Sequence, residues 1–313
     1  MIDILIAVII DYLIGDPQYA LHPIRIMGKL INREEKIIRR KVNSPVGLRI
    51  CGLVVVALNL SMGFLVPFYI LKITHNLPIL HRLINIYLIY SSVAGRCLSD
   101  EAKKIYDALN ISLKEARYRL SFIVGRDTVN LSELEILRAT VETVAENTSD
   151  GVIAPLFFIM IFGTPFGMVY KFVNTMDSML GYKNEKYRDL GFFPAKTDDL
   201  FNFIPARLTG ILMCMSSIGK YDVKRGFKIM IRDRKNHKSP NCAYPEGAVA
   251  GLLGIQLGGS NFYNGELVIK PTIGDSYRAL SKEDILSTVD ILYRTLTLNI
   301  IIYYLIILLS QVI

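Results

Sequence analysis

The sequence has few charged residues and none of the common signatures of soluble nucleotide-binding or hydrolytic enzymes. Charged residues make up 20% of the 313 positions, apolar residues make up 51%, and the mean hydropathy is +0.36. No GxxxxGK[ST], GxGxxG, HExxH or GxSxG motif is present. These absences exclude a P-loop, a dinucleotide-binding fingerprint, a zincin site and a nucleophile elbow. If the chain binds a nucleotide, it uses another type of site.

Cysteines and polar linkers are also scarce. The four cysteines are scattered, without CxxC spacing or a neighbouring histidine, so they indicate neither a zinc site nor a disulfide framework. There is no internal repeat, low-complexity segment or long Gly/Ser/Pro linker to divide the chain. The N-terminus lacks a basic region and a small-residue cleavage site, so a cleaved signal peptide is not expected.

Long apolar segments dominate instead, and they predict an integral membrane protein. Residues 50–71 carry no charge over 22 positions, which is enough for a helix to cross a hydrocarbon layer of roughly 30 Å. The predicted spans are residues 50–71, 77–94 and 291–313. Three further segments contain Asp, Pro, Gly or Arg and are predicted to be short, broken or re-entrant helices: residues 1–14, 152–173 and 201–219. We expect one membrane-embedded catalytic unit over residues 1–313.

The polar segments predict the rest of the fold. Residues 99–122 and 131–149 have apolar positions at helical spacing, and Ser132 with Glu135 forms a capping-box pattern. Residues 266–273 are the best strand candidate. The predicted fold class is therefore all-α, a polytopic membrane helical protein with cytoplasmic amphipathic helices and one candidate short β-hairpin.

Basic residues concentrate in three polar stretches, residues 25–49, 96–138 and 220–238. The positive-inside rule places all three on the cytoplasmic side of the cell membrane, where we also expect the active site of this multi-pass protein. This explains the net charge of +8 without nucleic acid, and no strip of interleaved basic and aromatic residues is present.

An acidic stripe is the most informative polar feature. Glu142, Glu146 and Asp150 recur every four residues, so a helix would carry them on one side. No Lys or Arg lies four residues further on to pair with them. A solvated acidic face is the alternative, but unpaired oxygen ligands suit Mg²⁺, which in proteins accompanies phosphate chemistry. Further candidate ligands are Asp177, Asp198 and Asp199, of which Asp198 and Asp199 would equally suit a helix N-terminus.

Other polar segments supply candidate substrate contacts and proton-transfer groups. His237 and Glu246 are candidate catalytic bases, with His22 as a third. The segment from residue 231 to 247 is either a basic cluster that binds anionic lipid or a shaped anion site. The segment around Asp16 is either a structural turn or a ligand contact. The candidate substrate and phosphate contacts are Asp16, Asn147, Lys183, Arg207, Arg232, Arg234, Ser239 and Asn241.

Four long segments, in order from residue 15 to 259, resemble the CbiB/CobD family of adenosylcobinamide-phosphate synthases. They are GDPQYALHPIRIMG, ETVAENTSDGVIAPLFF, GYKNEKYRDLGFFPAKTDDLFNFIPARLTG and RDRKNHKSPNCAYPEGAVAGLLGIQLGG. The resemblance implies a polytopic membrane enzyme of cobalamin biosynthesis. Such an enzyme joins aminopropanol, or its O-phosphate, to the propionate carboxylate of adenosylcobyric acid with ATP. The resemblance does not assign individual steps to residues.

A mechanism follows from the charges. The propionate must be activated, most simply as an acyl phosphate formed from ATP, with Mg²⁺ held by the acidic residues and the phosphates neutralised by Lys183, Arg207, Arg232 and Arg234. A corrinoid transporter and a membrane phosphotransferase are the alternatives. The expected partners are the corrinoid, the aminopropanol substrate, the lipid bilayer and other membrane enzymes of the cobalamin pathway.

Overall fold

The computed structural model describes residues 2–15, 22–182, 184–263 and 265–311. Over these residues the chain is mainly helical, with four short strands. The helices are α1 Ile2–Ile14, α2 Pro23–Lys41, α3 Pro45–Thr74, α4 Pro78–Tyr90, α5 Gly95–Leu109, α6 Leu113–Leu120, α7 Glu133–Thr148, α8 Ala154–Phe162, α9 Thr164–Leu180, α10 Phe192–Phe201, α11 Phe203–Ser216, α12 Val223–Asp233, α13 Ala243–Leu253 and α14 Glu283–Ser310. The strands are β1 Leu257–Gly258, β2 Asn261–Tyr263, β3 Glu266–Val268 and β4 Thr272–Ile273.

The contacts divide the chain into two compact units. The first unit comprises Met1–Ala94 and Ala154–Asn202, and the second comprises Gly95–Ile153 and Phe203–Ile313. Each unit therefore contains two separate stretches of the chain. That the whole chain acts as one membrane-embedded catalytic unit stays a prediction.

Three helical stretches are long and apolar enough to cross a membrane, within the residues that the structure describes. They are Pro45–Thr74, Glu133–Phe162 and Glu283–Ser310. The first contains the predicted span at 50–71, and the third contains residues 291–310 of the predicted C-terminal span. The second was not predicted as a span, because it combines the acidic end of α7 with the apolar α8 through a π-helical turn, Ser149–Ile153.

The predicted span at 77–94 is not among these candidates. Its helix, α4, has 13 residues and so measures about 20 Å, which is less than the roughly 30 Å of a hydrocarbon core. The predicted break within 152–173 lies at Gly163, whose φ of +89° ends α8 before Pro165 opens α9. Helices α1 and α11 are short, with 13 and 14 residues.

The first unit packs α2, α3, α4, α9 and α10 around buried aliphatic and methionine side chains. Helix α3 begins where the Ser44 side chain accepts the Gly47 N–H, with Pro45 at the first helical position. Arg82 and Asn85 of α4 both donate to the carboxylate of Asp3 in α1, at 2.8 and 2.9 Å. These contacts hold the two short helices together.

The second unit packs α5, α6, α7 and α11 to α14 around one apolar core. The predicted capping box is present, since Ser132 and Glu135 bond reciprocally at the start of α7. The predicted amphipathic helix at 99–122 is divided into α5 and α6, because Ser112 caps α6 by accepting the Glu115 N–H. Helices α12 and α13 approach closely at Gly251, where an added Cβ would lie 2.6 Å from the Arg225 carbonyl oxygen.

The predicted strand at 266–273 forms two strands that pair with different partners. β3 pairs antiparallel with β2, with Phe262 opposite Leu267, while β4 pairs antiparallel with β1. Lys270 and Pro271 lie between β3 and β4, and proline cannot donate a ladder hydrogen bond. The sequence therefore predicted extended chain at the right position but not the break between β3 and β4.

Candidate active site

The acidic stripe lies on α7 and the π-helical turn that follows it, and its first member is held by two donors. The Glu142 side chain is 7% exposed, and its Oε2 accepts from Arg126 Nη2 at 2.7 Å. Its Oε1 accepts from the Gly258 N–H at 2.7 Å. The prediction that these acids lack a basic partner is wrong for Glu142, because Arg126 comes from the loop before α7.

Arg126 also connects this helix to the β2–β3 hairpin. Its Nη1 donates to Asn261 Oδ1 at 2.8 Å, and its side chain is 8% exposed. Burial opposes the charge of Arg126, but the Glu142 carboxylate, together with Tyr263 and Glu246, outweighs this effect, and the pKa of Arg126 is raised. Glu142 and Arg126 therefore form a buried ion pair that connects α7 to the β2–β3 hairpin.

Glu146 and Asp150, further along the stripe, are half-buried. Glu146 Oε1 accepts from the Cys242 thiol, with 2.8 Å between oxygen and sulfur. Burial raises the pKa of Cys242, and the charges of Glu146 and Glu246 raise it further. Cys242 is thus held as a protonated donor. Asn147 instead bonds its own helix, donating to the Thr143 carbonyl oxygen at 2.9 Å.

Glu246 on α13 brings another carboxylate to the same place. It is buried, and its pKa is raised by burial and then by the neighbouring charges of Glu142 and Glu146. Lys270 and Arg126 act in the opposite direction. Carboxylates that are about 100 positions apart in sequence therefore share one environment in the second unit.

His237 lies in the turn after α12, within a chain of hydrogen bonds. Its Nδ1 accepts the Ser239 N–H at 3.0 Å, and Ser239 Oγ accepts the Asn241 N–H at 3.3 Å. Burial lowers the pKa of His237, and the Lys270 charge lowers it further, against the opposing charges of Glu146 and Glu142. The ring is therefore neutral at pH 7.

Arg207 on α11 extends this network. Its Nη1 donates to Asn241 Oδ1 at 3.3 Å, and its guanidinium carbon lies 3.5 Å from the centroid of the Phe203 ring and 4.4 Å from that of Tyr244. A guanidinium stacked between two rings is held in orientation. Arg207 is thus positioned beside the His237 turn.

Arg232 and Arg234 are engaged elsewhere. Arg232 contacts Asp233 at 2.7 Å and Asp275 at 2.7 and 2.9 Å, and these hydrogen bonds raise its pKa. Arg234 donates to the Ile231 carbonyl oxygen. A substrate phosphate would have to compete with Asp233 and Asp275 for Arg232. That Arg232 and Arg234 contact a phosphate stays a prediction.

The remaining predicted site residues belong to the first unit or lie outside the described residues. His22 and Asp198 are buried, Asp177 is on α9, and Asp199 pairs with Lys196 at 3.2 Å. Their joining the acidic stripe stays a prediction. Asp16 and Lys183 lie outside the residues that the structure describes.

A magnesium ion fits part of the predicted ligand set. Within the described ranges, no group of three His, Cys, Asp or Glu residues is arranged to hold a metal ion. Both oxygens of Glu142 already accept hydrogen bonds, so Glu146 and Asp150 are the better ligand candidates along the stripe. Mg²⁺ commonly takes only one or two protein carboxylates together with substrate phosphates, so these two residues suit it.

Sequence reasoning missed Arg126, Asn261 and Lys270. Lys270 Nζ lies 3.5 Å from His237 Nε2. No motif marks these residues, because they come from loops and a hairpin that reach α7 and the His237 turn only in the folded chain.

Comparison with known proteins gives a consistent relationship over nearly the whole chain. The family model described as CobD/Cbib protein matches residues 4–292. The chain is 53% identical over 305 residues to a protein of Clostridium tetani named "Cobalamin biosynthesis protein CobD". This match covers 97% of the chain and 96% of that protein. Proteins with the same name are 52% identical in Clostridium acetobutylicum, covering 98% of both chains, and 48% identical in Listeria monocytogenes, covering 94% of both. No solved structure matches. The chain belongs to the CobD/Cbib family.

Proposed function

We propose that this chain acts in cobalamin biosynthesis as an ATP-dependent ligase. It would join aminopropanol, free or as its O-phosphate, to the propionate carboxylate of adenosylcobyric acid and form adenosylcobinamide or its phosphate. Family membership and the names of the relatives support the pathway. One structural observation supports the chemistry: Glu146, Glu246 and His237, from distant segments, share one partly buried environment.

The reaction needs an activated carboxylate, since a propionate does not react with an amine at neutral pH. A propionate oxygen would attack the γ-phosphorus of ATP, forming an acyl phosphate and releasing ADP. The amine nitrogen would then attack the acyl carbon, phosphate would leave with the electrons of the C–O bond, and the nitrogen would lose a proton to a base. Mg²⁺ held by Glu146 and Asp150 would supply charge to neutralise the phosphates.

The geometry favours Glu246 over His237 as the base. His237 Nδ1 already accepts a backbone N–H, so a neutral ring carries its proton on Nε2 and acts there as a donor. The raised pKa of Glu246 brings it closer to neutral pH, which suits a group that exchanges a proton during the reaction. His22 remains a third candidate in the first unit.

A location in the cell membrane, with the active site on the cytoplasmic side, is part of the same proposal. The three long apolar helical stretches support membrane insertion. The amphipathic α12 carries Lys224, Arg225 and Lys228, which supports a cytoplasmic position for this helix by the positive-inside rule. Other membrane enzymes of the pathway would be its partners.

One assay tests the ligase against the two alternatives. Purified protein receives ATP, Mg²⁺, adenosylcobyric acid and either aminopropanol or its O-phosphate, and ADP and the amide product are measured. ADP release that requires both organic substrates supports the ligase. Corrinoid uptake into vesicles without ATP turnover would instead support a transporter, and phosphate transfer to an alcohol would support a phosphotransferase.

A further inference from the structure

Lys270 is a cation that lies beside the imidazole of His237. It lies between β3 and β4, directly before Pro271. Its ammonium nitrogen lies 3.5 Å from His237 Nε2 and 5.6 Å from the centroid of the Tyr263 ring. Within the described residues, no ion pair joins Lys270 to a carboxylate.

The hydrogen bonding of His237 fixes what its other ring nitrogen can do. A backbone N–H can only donate, so Nδ1, which receives the Ser239 N–H at 3.0 Å, must be unprotonated. A neutral histidine with an unprotonated Nδ1 carries its hydrogen on Nε2. An imidazolium would carry hydrogen on both nitrogens and would oppose the Ser239 N–H.

Two donors therefore face one another. His237 presents Nε2–H, and Lys270 presents an ammonium group that has no acceptor site. Two N–H donors 3.5 Å apart cannot bond each other, but a single oxygen placed beside both can accept from both. The pair thus offers two donors to one acceptor, and its net positive charge favours an anionic one.

We propose that Lys270 Nζ and His237 Nε2–H together bind one anionic oxygen of a substrate, belonging to a carboxylate or a phosphate. Ser239 and Asn241 are positioning residues, because their hydrogen bonds hold the imidazole with Nε2 directed at this site. The charge of Glu146 acts on His237, and the charge of Lys270 acts on Glu246, so both carboxylates belong to the surroundings of this site. Which substrate supplies the oxygen rests on the proposed function, whereas the existence of the anion site does not.

Nitrogen NMR of the detergent-solubilised full chain tests the site directly. The chain has only four histidines, so ¹⁵N-histidine labelling and a His237→Asn variant assign the His237 signals. We expect the resting protein to show the tautomer with hydrogen on Nε2. Inorganic phosphate or propionate, used as probes, should then shift the Nε2 resonance, and the probe that acts at the lower concentration identifies a phosphate or a carboxylate site.

Matched lysine variants separate the site from general charge. Lys270→Met should weaken anion binding by about tenfold or more, as expected for the loss of one charge-assisted hydrogen bond. Lys270→Arg should retain most of the binding, and Lys238→Met, which removes an exposed lysine next to His237, should leave binding unchanged. An Nδ1–H tautomer, no shift with either anion, or equal binding by the Lys270→Met and Lys238→Met variants would each overturn the proposal.

Turnover measurements distinguish failure of this site from failure of the proposed ligase. The Lys270→Met variant should raise the KM of the substrate that carries the bound anion more than it lowers kcat. If the wild-type protein binds anions through Lys270 but never couples ADP release to both organic substrates, the anion site is supported and the ligase function is contradicted. Coupled turnover without any effect of anions on the His237 signals would support the ligase function and contradict the anion site.

Discussion

Removing Arg126 should destabilise the second unit far more than removing an exposed arginine with similar geometry. Arg126 and Glu142 are 8% and 7% exposed and lie 2.7 Å apart. Breaking a buried pair by removing one partner costs about 3–5 kcal/mol, since the remaining charge is left buried without compensation. The Arg126→Met variant also leaves Asn261 Oδ1 without its 2.8 Å donor.

The surface pair of Arg119 and Glu115 on α6 provides the matched control. Its atoms are 2.8 Å apart, but its side chains are 41% and 35% exposed. An exposed pair four residues apart on a helix contributes about 0.3–0.5 kcal/mol. Thermal unfolding in detergent should therefore show a midpoint lowered by about 6 °C or more for Arg126→Met, at about 2 °C per kcal/mol, and by about 1 °C for Arg119→Met.

A double variant separates lost attraction from the cost of an unpaired charge. Arg126→Met combined with Glu142→Gln removes both charges, so it should be less destabilised than the sum of the single variants. Arg126→Lys should be intermediate, because an ammonium keeps the charge but cannot match the fork that reaches Glu142 and Asn261. Equal midpoints for the Arg126→Met and Arg119→Met proteins, or strict additivity in the double variant, would refute the reasoning.

The other expectations concern activity, packing and metal. Glu146→Gln should abolish coupled ADP release while leaving the unfolding midpoint within about 2 °C of wild type. The exposed Glu133→Gln variant is the control and should retain activity. Near-normal turnover by the Glu146→Gln variant would contradict a role for Glu146 in the reaction. Gly251→Ala should lower the free energy of unfolding by about 1–3 kcal/mol, because the added Cβ meets the Arg225 carbonyl oxygen at 2.6 Å. Gly28→Ala is the control, since its Cβ would lie 3.6 Å from the nearest atom, and it should be neutral or stabilising. Thermal melts followed by circular dichroism measure both. Chelation of divalent cations should stop ADP release and added Mg²⁺ should restore it, and unchanged turnover in excess chelator would contradict the metal proposal.

Local spacing predicted the acidic stripe because helix geometry alone decides which side chains share a face. Glu142, Glu146 and Asp150 do lie along α7 and the turn after it, and the capping box at Ser132 is present. The partner of Glu142 could not be predicted in this way. Arg126 lies 16 positions before Glu142, in a loop, and only the tertiary fold brings it to the carboxylate.

Lys270 illustrates a second limit of sequence reasoning. In ELVIKPTI it follows three apolar residues and precedes a proline, and nothing in this local pattern indicates a contact with a distant histidine. The interruption at Lys270 and Pro271, between strands that pair with different partners, turns it towards His237. A strand signal gives the location of extended chain but not the pairing, and here the pairing decides which side chain reaches the site.

The candidate span at Glu133–Phe162 connects stability with chemistry. Carboxylates in such a segment are costly unless they are paired or hydrogen-bonded, and 61% of its apolar window is buried inside the protein. Glu142 meets that condition with two donors, which makes it a structural anchor. Glu146 receives only a thiol hydrogen at one oxygen among the contacts described, and a thiol is a weak donor. The second oxygen of Glu146 is thus better suited than Glu142 to bind a cation or a substrate amine. Two members of one stripe therefore differ, since Glu142 stabilises the fold and Glu146 is the stronger candidate for the reaction.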